Sequence, residues 1–450
     1  MLYRKISHKI ESHLKSGSDK IMVVEGARQV GKSFIIRYVG TKVFKNFVEI
    51  NFVKDEEGPQ LFKNLKTTEE IYLALSSIAG DKLQNYDNTL VFLDEIQTYP
   101  QYLTLLKFLR EDKKYHFIAS GSLLGVALHQ TISIPIGSII REKMYPLDFE
   151  EYLMANNVGK DFIAFLKEKF YAQESLPQEM HDLTLNHFKR YLLVGGLPEP
   201  VNSYLESHNI VNVRKVQNEI HNLYGVDASR YEKEFSKKLL IRTIYNLIPS
   251  RMENVKKRFV FKDIQGLEKD RYSRYENEFE YLVASGISLN VKAISNPIFP
   301  LEESMHKNLF KLYMNDVGLL TSQLYSTNIQ PIIESHAGIN LGSVYENAVA
   351  EELAAHDLKL FYYDNRKKGE VDFMINDYEN LSILPLEVKS GKDYKRHVAI
   401  SNLLQNKEYN IKYGIVLSNN REVETKGNII YMPVYYSMFL GLQEIKQFIF

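Results

Sequence analysis

Gly26-Ala27-Arg28-Gln29-Val30-Gly31-Lys32-Ser33 follows the apolar run Ile21-Met22-Val23-Val24-Glu25 and precedes the helix-like stretch SFIIRYVG (33–40). The octapeptide matches the phosphate-loop pattern G-x-x-x-x-G-K-[ST], and strand before, helix after is the context that pattern requires. Its glycines let backbone N–H groups curl around phosphate oxygens. The helix N-terminus adds a partial positive charge. Gly26 to Ser33 are therefore the expected binders of a nucleoside triphosphate, with Lys32 reaching the β- and γ-phosphates and the Ser33 hydroxyl ligating Mg²⁺. Arg28, inside the loop, is a further phosphate contact.

Working outward, NFVEINF (46–52), TLVFLDE (89–95) and YHFIASG (115–121) join KIMVVEG (20–26) as short apolar runs separated by helical segments. Such runs are the mark of buried parallel strands in an α/β layer structure. TLVFLDE ends in two acids where ligands bind in open α/β sheets. Asp94 is expected to hold Mg²⁺ and Glu95 to act as general base on the attacking water. The next strand ends in Ser120-Gly121-Ser122. Either serine can sense the γ-phosphate or position water, and the sequence does not separate them. Arg141 is read either as an arginine finger acting across a subunit boundary or as a surface arginine.

The chain has 450 residues, a length that suggests about three domains at roughly 150 residues each. Hydrophobic residues make up 44%, which excludes a disordered chain. Lys plus Arg and Asp plus Glu both number 56, so net charge makes no case for nucleic acid and any basic surface is local. Without cysteine there is no disulfide and no thiolate metal site. The N-terminal stretch lacks the apolar core of a signal peptide, and no apolar run of about 18 residues suggests a membrane span. A cytoplasmic location is expected.

Beyond the first 150 residues, 151–225 read mainly helical with a break at VGGLPEP (194–200), and 226–335 end in short strands around SNPIFPL (295–301). HAGINLG (336–342) reads as a linker to a last region at 336–450. Between Arg230 and Arg274 there are 13 Lys or Arg against 6 Asp or Glu, including Lys237-Lys238 and Lys256-Lys257-Arg258. RYSRYENEFEYLVASGI (271–287) carries helical spacing and ends at Gly286, a C-cap residue. SLNVKAI (288–294) and FKLYMND (310–316) are expected to pair as a wing. A winged helix there places basic residues on DNA phosphates; the competing reading is a packing module with solvated charges.

The last region holds a second acidic constellation. Glu346 lies on the helix GSVYENAVAEEL (342–353), Asp372 in GEVDFMI (369–375), and Glu387 and Lys389 in ILPLEVKSG (383–391). Strand alternation puts Glu387 and Lys389 on one face, and Glu370 on the face of Asp372. A helix followed by strands bearing Asp and Glu-x-Lys is the layout of the PD-(D/E)XK nuclease fold. Asp372 and Glu387 supply hard oxygens for Mg²⁺, Lys389 orients water or neutralises charge, and Glu346 steadies the site. A solvated charged strand and a nuclease fold whose catalysis has lapsed are the alternatives.

GARQVGKS (26–33), VFLDEIQ (91–97), ASGSLLG (119–125), MYPLDFEEYL (144–153), YLLVGGLPEPV (191–201), LFKLYMNDVGLL (309–320) and LGSVYENAVAEEL (341–353) occur in this order. Together they resemble a bacterial and archaeal family of AAA-type ATPases with a C-terminal domain of unknown function. The resemblance implies an α/β chain in four parts: an AAA-type core at 1–150, a helical lid at 151–225, a winged-helix region at 226–335 and a restriction-nuclease-like domain at 336–450. It also implies ATP as the nucleotide and a homo-oligomeric ring with ATP at subunit interfaces. The sequence departs from the family at Gly137-Ser138, where a Gly-Arg pair is expected. An ATP-driven motor acting on DNA is the first expectation; a regulatory ATPase with a protein partner and an inert nuclease-fold scaffold is the alternative.

Overall fold

The computed structural model describes residues 1–53, 61–122, 137–227, 234–254, 257–259, 264, 274–334, 341–365, 369–391 and 393–441. The chain forms two compact units. The first comprises Met1–Tyr145 with Glu280–Ile287, and the second Pro146–Phe279 with Ser288–Phe450.

The four apolar runs of the first unit are strands β1 (Ile21–Glu25), β2 (Asn46–Asn51), β3 (Thr89–Asp94) and β4 (His116–Gly121). A fifth, β5 (Ile139–Lys143), has no counterpart in the sequence reading. The order is β2-β3-β4-β1-β5 and every pairing is parallel. The interior strands β1 and β3 are buried at every position, which is why they read as unbroken apolar runs. Edge strand β5 is partly exposed along its length and carries Arg141, Glu142 and Lys143, so no apolar run announces it.

Helices Lys32–Val43, Thr68–Ala79 and Gln101–Asp112 belong to this unit. Thr67 and Glu70 form a reciprocal capping box at the second of them. Strand and helix residues such as Val91, Leu93, Tyr102, Leu106 and Leu109 close one core cluster. The result sets the carboxyl ends of β3, β4 and β1 side by side, and that edge carries the phosphate loop.

The second unit begins with helices Phe149–Ala155, Lys160–Ala172, Gln178–Val194, Pro198–Ser207, Ile210–Asp227 and Phe235–Met252, in keeping with a mainly helical stretch. Its sheet has eight strands: β6 (Ser288–Ile294), β7 (Met305–Met314), β8 (Phe361–Asn365), β9 (Gly369–Asp377), β10 (Ser382–Lys389), β11 (Gly414–Ser418), β12 (Glu424–Lys426) and β13 (Ile429–Pro433). They run in the order β12-β13-β11-β10-β9-β8-β6-β7.

The pair expected as a wing, β6 and β7, is antiparallel as anticipated, but β6 also pairs in parallel with β8. One sheet therefore runs across the boundary drawn at 335/336, and these two strands are not a separate winged module. The reason is the open edge of β6: its unpaired backbone groups are met by β8 rather than by water. Arg230, Lys256, Lys262, Lys269, Arg271 and most of HAGINLG lie outside the described residues.

The family-like strings GGLPEP and MNDVGLL meet inside this unit. Asp316 caps the helix Val317–Tyr325 by accepting from Leu319 N at 2.9 Å. Its other oxygen accepts from Gly196 N at 2.6 Å and Leu197 N at 3.1 Å. A Cβ on Gly195, whose φ is +74°, would stand 2.2 Å from Asp316 Oδ1, and one on Gly196 would stand 2.0 Å from Leu147 O, so both positions demand glycine. Buried Arg214 adds hydrogen bonds to Leu193 O at 3.0 Å, Gly318 O at 3.2 Å and Ser326 O at 2.7 Å. These strings make a polar joint between helices.

Candidate functional site

The phosphate loop connects β1 to the helix Lys32–Val43 through three residues in the left-handed or glycine region: Gly26 at φ +151°, Gln29 at +61° and Gly31 at +97°. A Cβ on Gly26 would meet Met144 O at 2.2 Å. Lys32 is folded inward, its ammonium donating to Gly26 O at 3.0 Å and Ala27 O at 2.7 Å. Arg4, which the sequence reading passed over, donates to Val30 O at 2.8 Å and to Tyr145 O at 2.5 Å and so braces the loop.

Opposite the loop, Asp94 is the hub. Its Oδ2 accepts from Ser33 Oγ at 2.9 Å and Asn51 Nδ2 at 2.7 Å, and its Oδ1 from Ser120 Oγ and from Glu95 N at 3.1 Å. Burial leaves the Asp94 carboxyl above its ordinary value, against the pull of the Ser120 and Ser33 hydroxyls. Glu95 stands at φ +57°, and its Oε2 accepts from Ser122 Oγ at 3.0 Å and from Gln97 Nε2. The two serines, inseparable in sequence, thus divide: Ser120 attends Asp94 and Ser122 attends Glu95. Asn51 and Gln97 were not anticipated. Asn51 was findable in principle, because in-register pairing sets it beside Asp94.

Ser33 and Asp94 present two hard oxygens 2.9 Å apart beside a glycine loop and a lysine. That donor set fits Mg²⁺, which takes one or two protein oxygens and fills its other positions with phosphate and water.

The two arginines differ. Arg28 Nε lies 3.4 Å from Ser122 Oγ, on the side of Glu95. Arg141 sits on edge strand β5, and its guanidinium donates to Glu25 Oε2 at 2.6 Å within its own chain. Ser138, at the position where a Gly-Arg pair was expected, accepts from Arg110 Nη1 at 3.1 Å. Gly286, read as a helix cap at φ +75°, faces the loop: a Cβ there would lie 3.0 Å from Ala27 N. The end of the helix Glu276–Ala284, expected at DNA, thus runs into residues packed on the phosphate loop.

The C-terminal constellation also assembles, with unexpected company. Glu346 comes from the buried helix Gly342–Ala355, Asp372 from β9, and Glu387 and Lys389 from β10. Lys389 Nζ is 2.6 Å from Glu387 Oε1. Asp372 Oδ2 accepts from Val388 N at 2.9 Å. Glu346 Oε1 is paired with Lys257, and its Oε2 accepts from Tyr313 Oη at 3.3 Å. Lys311 on β7 lies 2.5 Å from Glu370 and 3.9 Å from Glu346.

Burial, then the charge of Glu346, pushes Asp372 up to about 7. Burial also raises Glu346, but the charges of Lys257 and Lys311 outweigh it and leave the carboxyl below its ordinary value. Glu387 is raised by burial against the pull of Lys389. Among the described residues, no three Asp, Glu, His or Cys side chains converge as a group able to hold a metal ion. Lys257 was missed because it reads as part of a basic stretch, and Lys311 because it lies in a run read only as a wing strand.

Residues 18–153 match the AAA domain family, and the match supports an AAA-type ATPase domain in this part of the chain. Residues 185–330 and 341–436 match two domains of unknown function, DUF8612 and DUF4143. No curated protein matches. Similar solved structures include a Walker-type ATPase of Pyrococcus abyssi, at 15% identity over 72% of this chain and 96% of that one, with a TM-score of 0.43. The Aeropyrum pernix ORC1 protein in complex with DNA is 13% identical over 74% and 94%, with a TM-score of 0.29. The Thermotoga maritima RuvB Holliday junction branch migration motor is 12% identical over 64% and 89%, with a TM-score of 0.28. Among the described residues no helix is long and apolar enough to cross a membrane.

Proposed function

We propose that the chain binds ATP with Mg²⁺ in the loop 26–33, hydrolyses it, and uses the cycle as a ring-forming motor acting on DNA. The observation that carries the hydrolytic reading is the meeting of Ser33 and Asp94 at 2.9 Å, with Lys32 in the loop and Glu95 next along β3. The match to the AAA domain family supports ATP over another triphosphate.

Loop N–H groups and the Lys32 ammonium bind the phosphates, Lys32 exchanging its two carbonyl contacts for phosphate oxygens. Ser33 and Asp94 would hold Mg²⁺, which would supply charge neutralisation on the phosphates when bound. Glu95, steadied by Ser122 and Gln97, accepts the proton of the attacking water. Arg28 adds positive charge on the same side. Arg141 serves as a finger toward a neighbouring subunit only after release from Glu25.

The DNA part rests on the basic stretch between Arg230 and Arg274. ATP hydrolysis by the full chain is expected to rise with single-stranded, duplex or branched DNA, and the stimulation to fall steeply with salt. A rate indifferent to all three DNAs removes this part and leaves the ATPase.

A second reading, an ATPase that works on a protein partner with its nuclease fold inert, is favoured by one observation: lysines already hold the C-terminal carboxylates. It predicts that plasmid stays intact with Mg²⁺ or Mn²⁺. Cleavage that vanishes in both Asp372→Ala and Lys389→Ala would instead restore a nuclease.

A further inference from the structure

We infer that the carboxylate cluster on the eight-stranded sheet carries its own counter-ions, and that the ammonium groups of Lys257 and Lys311 take the place a divalent cation would fill among Glu346, Asp372 and Glu387. The inference stands apart from the ATPase reading and deepens the second one. Its failure would leave nucleotide hydrolysis untouched.

The first support is Lys311. Its side chain is 1% exposed, and lysine is almost never so buried unless paired. Alternation along β7 puts Lys311 and Tyr313 on one face, between Phe310 and Leu312 on the other. That face looks toward the acids: Nζ is 2.5 Å from Glu370 Oε1, an ion-pair contact without hydrogen-bond alignment, and 3.9 Å from Glu346 Oε2. It also stands 4.8 Å from the centre of the Tyr362 ring, a further site for a cation.

The second support is oxygen occupancy. A hard divalent ion needs several carboxylate oxygens with free lone pairs. Here Lys257 and Tyr313 take the two oxygens of Glu346, Lys389 takes one of Glu387, and the Val388 N–H takes one of Asp372. Glu387 Oε2 is buried without a hydrogen-bond partner and is the oxygen a cation would use first. The fixed ammonium groups of Lys257 and Lys311 repel a divalent ion from that oxygen and from the second oxygen of Asp372.

The third support is charge. Glu346, Glu370, Asp372 and Glu387 face Lys257, Lys311 and Lys389, so the group is close to neutral before any ion enters. Removing one buried partner leaves an uncompensated charge, and a divalent cation then becomes the favourable substitute.

The test is a Mn²⁺ titration followed by electron paramagnetic resonance, on the full chain without nucleotide. Lys32→Ala is present throughout to silence the phosphate loop. The otherwise unaltered chain is expected to leave the free-ion signal unchanged. Lys311→Met or Lys257→Ala is expected to gain one Mn²⁺ per chain with an affinity at least about tenfold higher, and adding Asp372→Asn is expected to abolish that gain. Lys257 is the less buried of the two, so its variant carries the test if Lys311→Met does not fold. Tight Mn²⁺ binding by the chain with its lysines intact, lost on Asp372→Asn, would overturn the inference. So would folded lysine variants that bind no more Mn²⁺ than their parent.

Discussion

Glu95→Gln is expected to slow ATP hydrolysis by about 10² to 10⁴-fold while leaving nucleotide affinity within about threefold, the range a positioned general base contributes. The substitution keeps the shape of the side chain. Ser122 Oγ, now 3.0 Å from Glu95 Oε2, can still meet the amide oxygen, so the residue stays in place and only its proton affinity is lost. Lys32→Ala should behave differently, losing affinity and rate together, because its ammonium meets phosphate in the ground state as well as in the transition state. Phosphate release and calorimetric titration of a nonhydrolysable analogue separate the two variants. A Glu95→Gln rate within a few-fold of the parent would remove Glu95 as base. A parent with no nucleotide affinity would remove the whole assignment.

Asp316→Ala is expected to destabilise the second unit by about 3 to 5 kcal/mol, because each buried donor left unmade costs about 1–3 kcal/mol and the joint relaxes partly. Three backbone N–H groups, from Gly196, Leu197 and Leu319, lose their acceptor at once. The close glycines around the carboxylate leave little chain free to move in and replace it. Asp316→Asn should recover only part of the loss, because its amide group turns donors toward donors.

The effect also depends on pH. Burial, against the pull of the backbone N–H groups, raises the Asp316 carboxyl from 3.8 to about 6. The folded state therefore holds the proton more tightly than the unfolded state. This contribution to stability is complete below 3.8 and is lost as pH rises through about 6. The gap between parent and Asp316→Ala should be wider at acid pH, near the unfolded value, than at neutrality. Urea unfolding at two pH values measures it, and a gap that narrows on acidification would contradict the assignment.

Much of the nucleotide site was legible because its parts are local. A glycine loop between an apolar strand and a helix is written in consecutive residues, and Asp94-Glu95 is announced by the apolar run before it. Arg4 and Gln97 were not legible, and Asn51 only through the register that sets it beside Asp94. They reach the site through pairing and side-chain direction. Arg141 is a different case. Its place in the chain suggests reach toward a neighbouring subunit, and β5 pairs it with Glu25 of its own chain.

The sequence by itself determined a phosphate loop, its acidic partner strand, the four apolar strands around them, and the helix-and-strand order of the C-terminal half. Tertiary structure decided that β6 and β7 close onto β8, that GGLPEP and MNDVGLL are halves of one buried joint, and that Lys257 and Lys311 meet the acids of the last region. The division follows from the range of the forces. Hydrophobic periodicity and backbone conformation act over a few residues and leave a local trace. The partner of a buried charge is chosen by whichever distant strand or helix the fold brings within a few ångströms, and no local pattern records that choice.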